Sequence, residues 1–101
     1  MTIQTTDKSG TPALTVKGQI GSLQDTVEFK QALRQACMSS KNGAVSVYFE
    51  ECIILPSSII GALLQKKEID KMEIKTFVRQ KELSESIQRL RLADILGLTS
   101  Y

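Results

Sequence analysis

The sequence predicts a single α/β domain over residues 1–101, a mixed β-sheet with helices packed on it. Short β-branched segments alternate with segments of helical period in the order β-β-α-β-α-β-α. Parallel strands in such an order need helical crossovers, whereas the first two segments are close enough for a hairpin. With 101 residues and 42% apolar content, the chain can bury one core without disulfide or metal staples, and a two-domain enzyme is excluded.

Thr2–Thr6 and Ala13–Ile20 form the expected hairpin. Leu14, Val16 and Ile20 recur at even spacing, and Asp7-Lys8-Ser9-Gly10 supplies the turn residues. From Ser22 the period changes. Phe29, Ala32, Leu33, Ala36 and Cys37 fall three and four apart, with Glu28, Lys30, Gln31, Arg34 and Gln35 opposite them, which makes an amphipathic helix. Ser22 and Asp25 offer acceptors for its free N–H groups, and Lys41-Asn42-Gly43 offers a left-handed stop.

Ala44–Phe49 is short, β-branched and aromatic, a strand buried on at least one face. Glu50-Glu51 breaks it, and a further apolar run, Cys52–Leu55, reads as the end of a strand leading into Pro56. A helix then covers about Ile59–Lys67, with Ser57 as its natural N-cap. Asp70-Lys71 connects to a strand over Met72–Val78 and a helix over Lys81–Leu90, in which Leu83, Ile87 and Leu90 mark one face. Leu92, Ile95, Leu96 and Leu98 extend that helix as an apolar tail past Gly97.

Most catalytic chemistry is excluded by composition. The chain has no histidine and only two cysteines, so the usual general base and any four-ligand Cys/His zinc site are missing. Cys37 and Cys52 match no CxxC pattern and read as reduced core thiols. Glu50 and Glu51, being adjacent, would face opposite ways on a strand and read as a solvated turn. Gly18 and Gly21 lack the third glycine of a dinucleotide fingerprint, and no phosphate-binding GxxxxGK[ST] occurs. No metal and no cofactor are expected.

Thirteen basic and eleven acidic side chains leave a formal charge of +2. The basic residues between Lys66 and Arg91 are interleaved with acids and carry no aromatic interleaving, so a solvated surface is expected and nucleic acid is not. Met1–Gly10 has no basic-then-apolar leader and no apolar run approaches the roughly 18–20 residues that span a bilayer. The expected address is the cytoplasm, with no membrane insertion.

One junction stands apart: Ile54-Leu55-Pro56-Ser57-Ser58-Ile59-Ile60-Gly61. Two hydroxyls meet a helix start, beside free N–H groups and the positive end of a helix dipole. A phosphate there would gain charge-assisted hydrogen bonds while adding roughly −1.5 to −2 of charge. Residue chemistry alone makes Ser57 a cap.

At this junction the sequence resembles a STAS domain, the family of anti-sigma factor antagonists, in which a strand running into Asp-Ser-Ser-Gly-Leu-Gly precedes the second helix. The resemblance extends to Leu14–Ile20 as the early strand with its glycine, Ser46–Phe49 as the third strand, and Leu90–Leu98 as the closing leucine-rich segment. It implies a STAS-like fold, no enzymatic activity, and Ser57 as the serine phosphorylated by a partner kinase, with Ser58 as second choice. Gly61 falls on the later glycine. The chain departs from the pattern at Pro56, Ile59 and Tyr48, where the family has Asp, Gly and, commonly, a strand Asp.

The function so implied is a bacterial regulatory module whose partner is an anti-sigma factor or a related serine kinase/phosphatase switch protein. Pro56, Ser57, Ser58, Ile59 and Gly61 would form its contact surface. Ile59 lies oblique to Ile60, Leu63 and Leu64 on a helical wheel, so it is either an exposed contact or a second buried side of the helix. The alternative is a STAS-like scaffold subunit in which neither serine is modified. Some relatives are proposed to bind nucleoside triphosphates, but without a phosphate-cradling loop a flat nucleotide titration is expected here.

Overall fold

A computed structural model describes residues 1–101, the side chain of Lys8 excepted. The elements are β1 (Thr2–Lys8), β2 (Thr11–Lys17), α1 (Leu23–Ser39), β3 (Ala44–Phe49), α2 (Ser57–Glu68), β4 (Glu73–Val78), α3 (Lys81–Arg89) and β5 (Leu98–Ser100). They build one five-stranded sheet in the order β1-β2-β3-β4-β5. β1 and β2 are antiparallel, and β2, β3, β4 and β5 run parallel to one another.

The hairpin forms as expected, but its turn is tighter than the four-residue cluster suggested. Both strands run on until Lys8 pairs with Thr11, leaving Ser9 and Gly10 as a two-residue loop. Both have positive φ, 56° and 88°, the geometry whose twist matches a right-twisted hairpin. The Gly10 N–H donates to Asp7 Oδ1 at 3.0 Å, a local bond that fixes the turn.

Each parallel crossover steps to the adjacent strand in the same direction. Right-handed crossovers therefore place α1, α2 and α3 on one face of the sheet. Burial alternates accordingly. Val45, Val47 and Phe49 of β3 are fully buried, as are Ile74, Thr76 and Val78 of β4, while their sequence neighbours on the other face are half-buried or exposed. The core between sheet and helices adds Leu14 and Val16 of β2, Phe29 and Leu33 of α1, and Leu83 and Ile87 of α3. On the open face Tyr48 stacks on Phe77 at 4.5 Å, Tyr101 meets both edge-on, and Arg79 lies over the Tyr101 ring.

Two expectations are corrected. Cys52–Leu55 is not strand: it has no ladder partner among the described residues and forms a loop between β3 and α2. The apolar tail is not a continuation of α3 either. The helix stops at Arg89, Arg91 takes φ 59°, and after Gly97 the chain forms β5 beside β4. Gly97 has φ 58°, and a Cβ there would lie 3.0 Å from the Ile74 carbonyl oxygen. Only glycine lets the backbone come that close. Among the described residues, no helix is long and apolar enough to cross a membrane.

Candidate functional site

The loop between β3 and α2 is held by alternate residues. Cys52 is fully buried and Leu55 nearly so, and anchoring these two pushes the intervening pair outward. Ile53 is 46% and Ile54 64% exposed. Gln19, from the segment after β2, clamps this pair at two points: its Oε1 accepts from the Ile53 N–H at 2.9 Å, and its Nε2 donates to the Ile54 carbonyl. Leu23, four residues beyond Gln19 at the start of α1, is 82% exposed. Ile53 and Ile54 thus present apolar side chains to solvent on a tethered loop.

The Cys52 thiol donates to the Ile54 carbonyl at 3.1 Å, and burial pushes its pKa up. It stays a neutral packing group, without the thiolate character of a reactive cysteine. Cys37 is likewise free and half-buried, and burial raises its pKa too.

Pro56, not Ser57, occupies the N-cap of α2, with φ −58° and ψ 146°. Its carbonyl accepts from the Ile59 and Ile60 N–H groups at 3.0 and 3.3 Å. Proline fixes the extended entry into the helix but carries no side-chain acceptor, and no side-chain cap bond forms. Ser57 is therefore the first helical residue, a correction to its expected role as cap. The N–H groups of Ser57 and Ser58 precede the first intrahelical bond and have no acceptor within the helix. The first turn holds no acidic residue, so nothing offsets the positive end of the dipole.

Ser57, Ser58 and Gly61 are exposed and Pro56 is half-buried. Ile59 is different: it is fully buried, and with Leu63 one turn later it anchors α2 to the core. An exposed contact role for Ile59 is corrected, since its side chain is consumed by packing. The exposed apolar side chains just before this helix are Ile53 and Ile54, in the run expected as strand. Gly61 has an ordinary helical backbone and open space where a Cβ would stand, so no local steric demand requires glycine there.

Ser58, Gly61 and Ala62 of α2 also line one side of a groove of about 330 Å³, whose other side is Lys30, Leu33 and Arg34 of α1. Ser57 is not part of that lining. Among the described residues no group of three His, Cys, Asp or Glu side chains is gathered to hold a metal ion.

No protein-family model matches the sequence, and no curated protein does. Solved structures match in fold. An anti-sigma factor antagonist from Mycobacterium paratuberculosis superposes with a TM-score of 0.79 at 18% identity, over 96% of this chain and 83% of its own. The anti-sigma factor antagonist SpoIIAA in its unphosphorylated form superposes with a TM-score of 0.77 at 12% identity, over 99% of this chain and 88% of its own. In fold the chain is a STAS-like domain, as the junction at Pro56–Gly61 implied.

Proposed function

We propose that this chain is a non-enzymatic regulatory module of the anti-sigma factor antagonist type, acting in the cytoplasm by binding a protein partner. The observation that carries this reading is the composite surface at the start of α2. There the exposed hydroxyls of Ser57 and Ser58 sit on a helix end without a side-chain cap, next to the clamped and exposed Ile53–Ile54 pair. The likeness in fold to two anti-sigma factor antagonists supports the class of partner, an anti-sigma factor or related serine kinase.

Ser57 is the switch in this reading. Its hydroxyl accepts the γ-phosphoryl group of a nucleoside triphosphate in the partner kinase, the serine proton is lost, and the nucleoside diphosphate leaves. The phosphate settles against the free N–H groups of the first turn. Its added charge raises the desolvation cost of docking and repels an acidic partner face. That one of the two structural relatives is described in an unphosphorylated form fits such a cycle.

With the partner recovered by pull-down from the native host, Ser57→Asp is expected to weaken binding at least tenfold in a titration, while Ser57→Ala binds within about twofold of the unsubstituted chain. Equal affinity for both variants overturns the switch.

A specific observation keeps a second reading, the unmodified scaffold subunit. Pro56 places no carboxylate beside the acceptor, and the first turn of α2 supplies none. Site-resolved mass spectrometry of protein from the native host separates the two: phosphate on Ser57 supports the switch, and its absence across growth conditions supports the scaffold.

A further inference from the structure

The groove between α1 and α2 has a chemistry that docking by the Ile53–Ile54 loop does not use. Its floor is apolar, from Leu33 and Ala62, and Gly61 leaves one wall open. Its rim carries three cations, Lys30, Arg34 and Lys66, and two neutral polar groups, Ser58 and Gln65. Among the described residues no acidic side chain lines it, and neither Lys30 nor Arg34 has an ion-pair partner. Only Lys66 is paired, to Asp70 at 3.0 Å, outside the lining. This pair holds the Lys66 side chain in a defined, largely covered position, 23% exposed.

We propose that this groove is a binding site for a compact organic anion, an apolar body carrying a phosphate or carboxylate head. A cavity of about 330 Å³ lies at the small end of ligand pockets, which run from roughly 300 to 1,000 Å³ and combine an apolar lining with a few placed polar groups. Arg34 supplies the planar fork that pairs with two oxygens of such a head, and Lys30 and Lys66 supply point charges. The apolar floor takes the body of the ligand, which distinguishes the site from a simple patch of surface charge. Ser58 stands on the rim, so its hydroxyl can donate to the bound head. A phosphate on Ser58 would instead repel the ligand, which makes occupancy and modification of that serine mutually exclusive.

The proposal does not rest on the partner-binding reading, and its test needs no partner. Phenyl phosphate, inorganic phosphate, benzoate and benzyl alcohol are titrated against the folded chain, with amide chemical shifts as the readout. Phenyl phosphate or benzoate is expected to shift the amides of Lys30, Arg34, Ser58 and Gly61 saturably, and the better of the two shows which head the site prefers. Inorganic phosphate is expected to bind at least fivefold more weakly for want of the apolar body, and benzyl alcohol to leave the spectrum unchanged.

Lys30→Gln together with Arg34→Gln removes two exposed charges that make no ion pair, so the fold is retained and affinity is expected to drop at least tenfold. Ser58→Asp, on the other element, is expected to do the same by repulsion. The proposal is overturned by shifts that map elsewhere, by no saturable shift with either organic anion, by equal affinity for inorganic and phenyl phosphate, or by undiminished affinity in both variants.

Discussion

The N-termini of α1 and α2 solve the same physical problem in opposite ways. Each must deal with backbone N–H groups that no preceding turn can satisfy. At α1 the Ser22 hydroxyl accepts from the Asp25 N–H at 3.0 Å, and the Asp25 carboxylate accepts from the Gly21 N–H at 3.2 Å. The start of that helix is closed by its own side chains. At α2 the cap is a proline with nothing to offer, and no acid follows in the first turn. One end is finished for stability; the other keeps donors and dipole unspent at the place where the exposed serines are. The switch proposed at Ser57 would act on this uncapped end, and the stability of the helix has to come from elsewhere.

For α2 that source is the side chain of Ile59, and substituting it gives the largest expected effect. Ile59→Ala should cost about 2–5 kcal/mol in denaturant unfolding, the range for emptying a fully buried aliphatic site. A cost below about 1 kcal/mol would mean that the helix start is held by something other than its core anchor.

Next in size, Ser22→Ala should destabilise by about 1 kcal/mol through loss of the α1 cap. For a domain this size, that lowers Tm by roughly 4–8 °C. Ser57→Ala should leave stability within about 0.5 kcal/mol, because an exposed surface residue that caps nothing is removed. If the two substitutions cost the same, the contrast between the helix ends fails.

Smaller and opposite in sign, Ser57→Asp should stabilise the isolated chain by about 0.3–1 kcal/mol, since a carboxylate would meet the uncompensated dipole. The same substitution weakens partner binding in the proposed function, so thermal melts and titrations should move in opposite directions.

The smallest effect is a pH dependence at α1. The Gly21 N–H, with help from Ser22, holds the Asp25 carboxyl below its ordinary value of 3.8. A carboxyl depressed on folding contributes stability above its unfolded pKa and loses it as pH falls through the folded one. Asp25→Asn should therefore flatten the acid side of the stability curve below about pH 4, with little change of slope near neutrality. Unchanged acid dependence would show that the Gly21 bond does not persist in solution.

The sequence made the scaffold legible wherever a periodic pattern met a turn signal. Leu14 and Val16, the Phe29–Leu33–Ala36 face and Val45–Phe49 each carry their own period, and each lies in the element so expected. β5 was not legible, because three residues carry no period of their own and its leucine continues an apolar spacing that suits a helix. What makes it a strand is Gly97 passing close to Ile74, a tertiary event. The candidate site was legible as a place and less so as a surface. Ser57 and Ser58 fall where the junction put them, but Ile59–Leu63 and Ile60–Leu64 are equivalent spacings in the sequence. The fold chooses the first pair for the core. The exposure of Ile53 and Ile54 depends on anchors at Cys52 and Leu55 and on a clamp from Gln19, 34 residues away in the chain, and no local pattern encodes a contact of that range.

Each strand of the sheet after the first lies beside the one made just before it. A ribosome releases the chain from its N-terminus, and such a sheet can grow in the same direction. The β1–β2 hairpin closes the shortest loop, and loop closure is cheapest there. Every later strand then adds to an edge that already exists, with the intervening helix free to fold over the new pair as it emerges. Each new strand finds one partner already made, so none is left wholly unpaired, while the growing edge passes from strand to strand until β5 takes it.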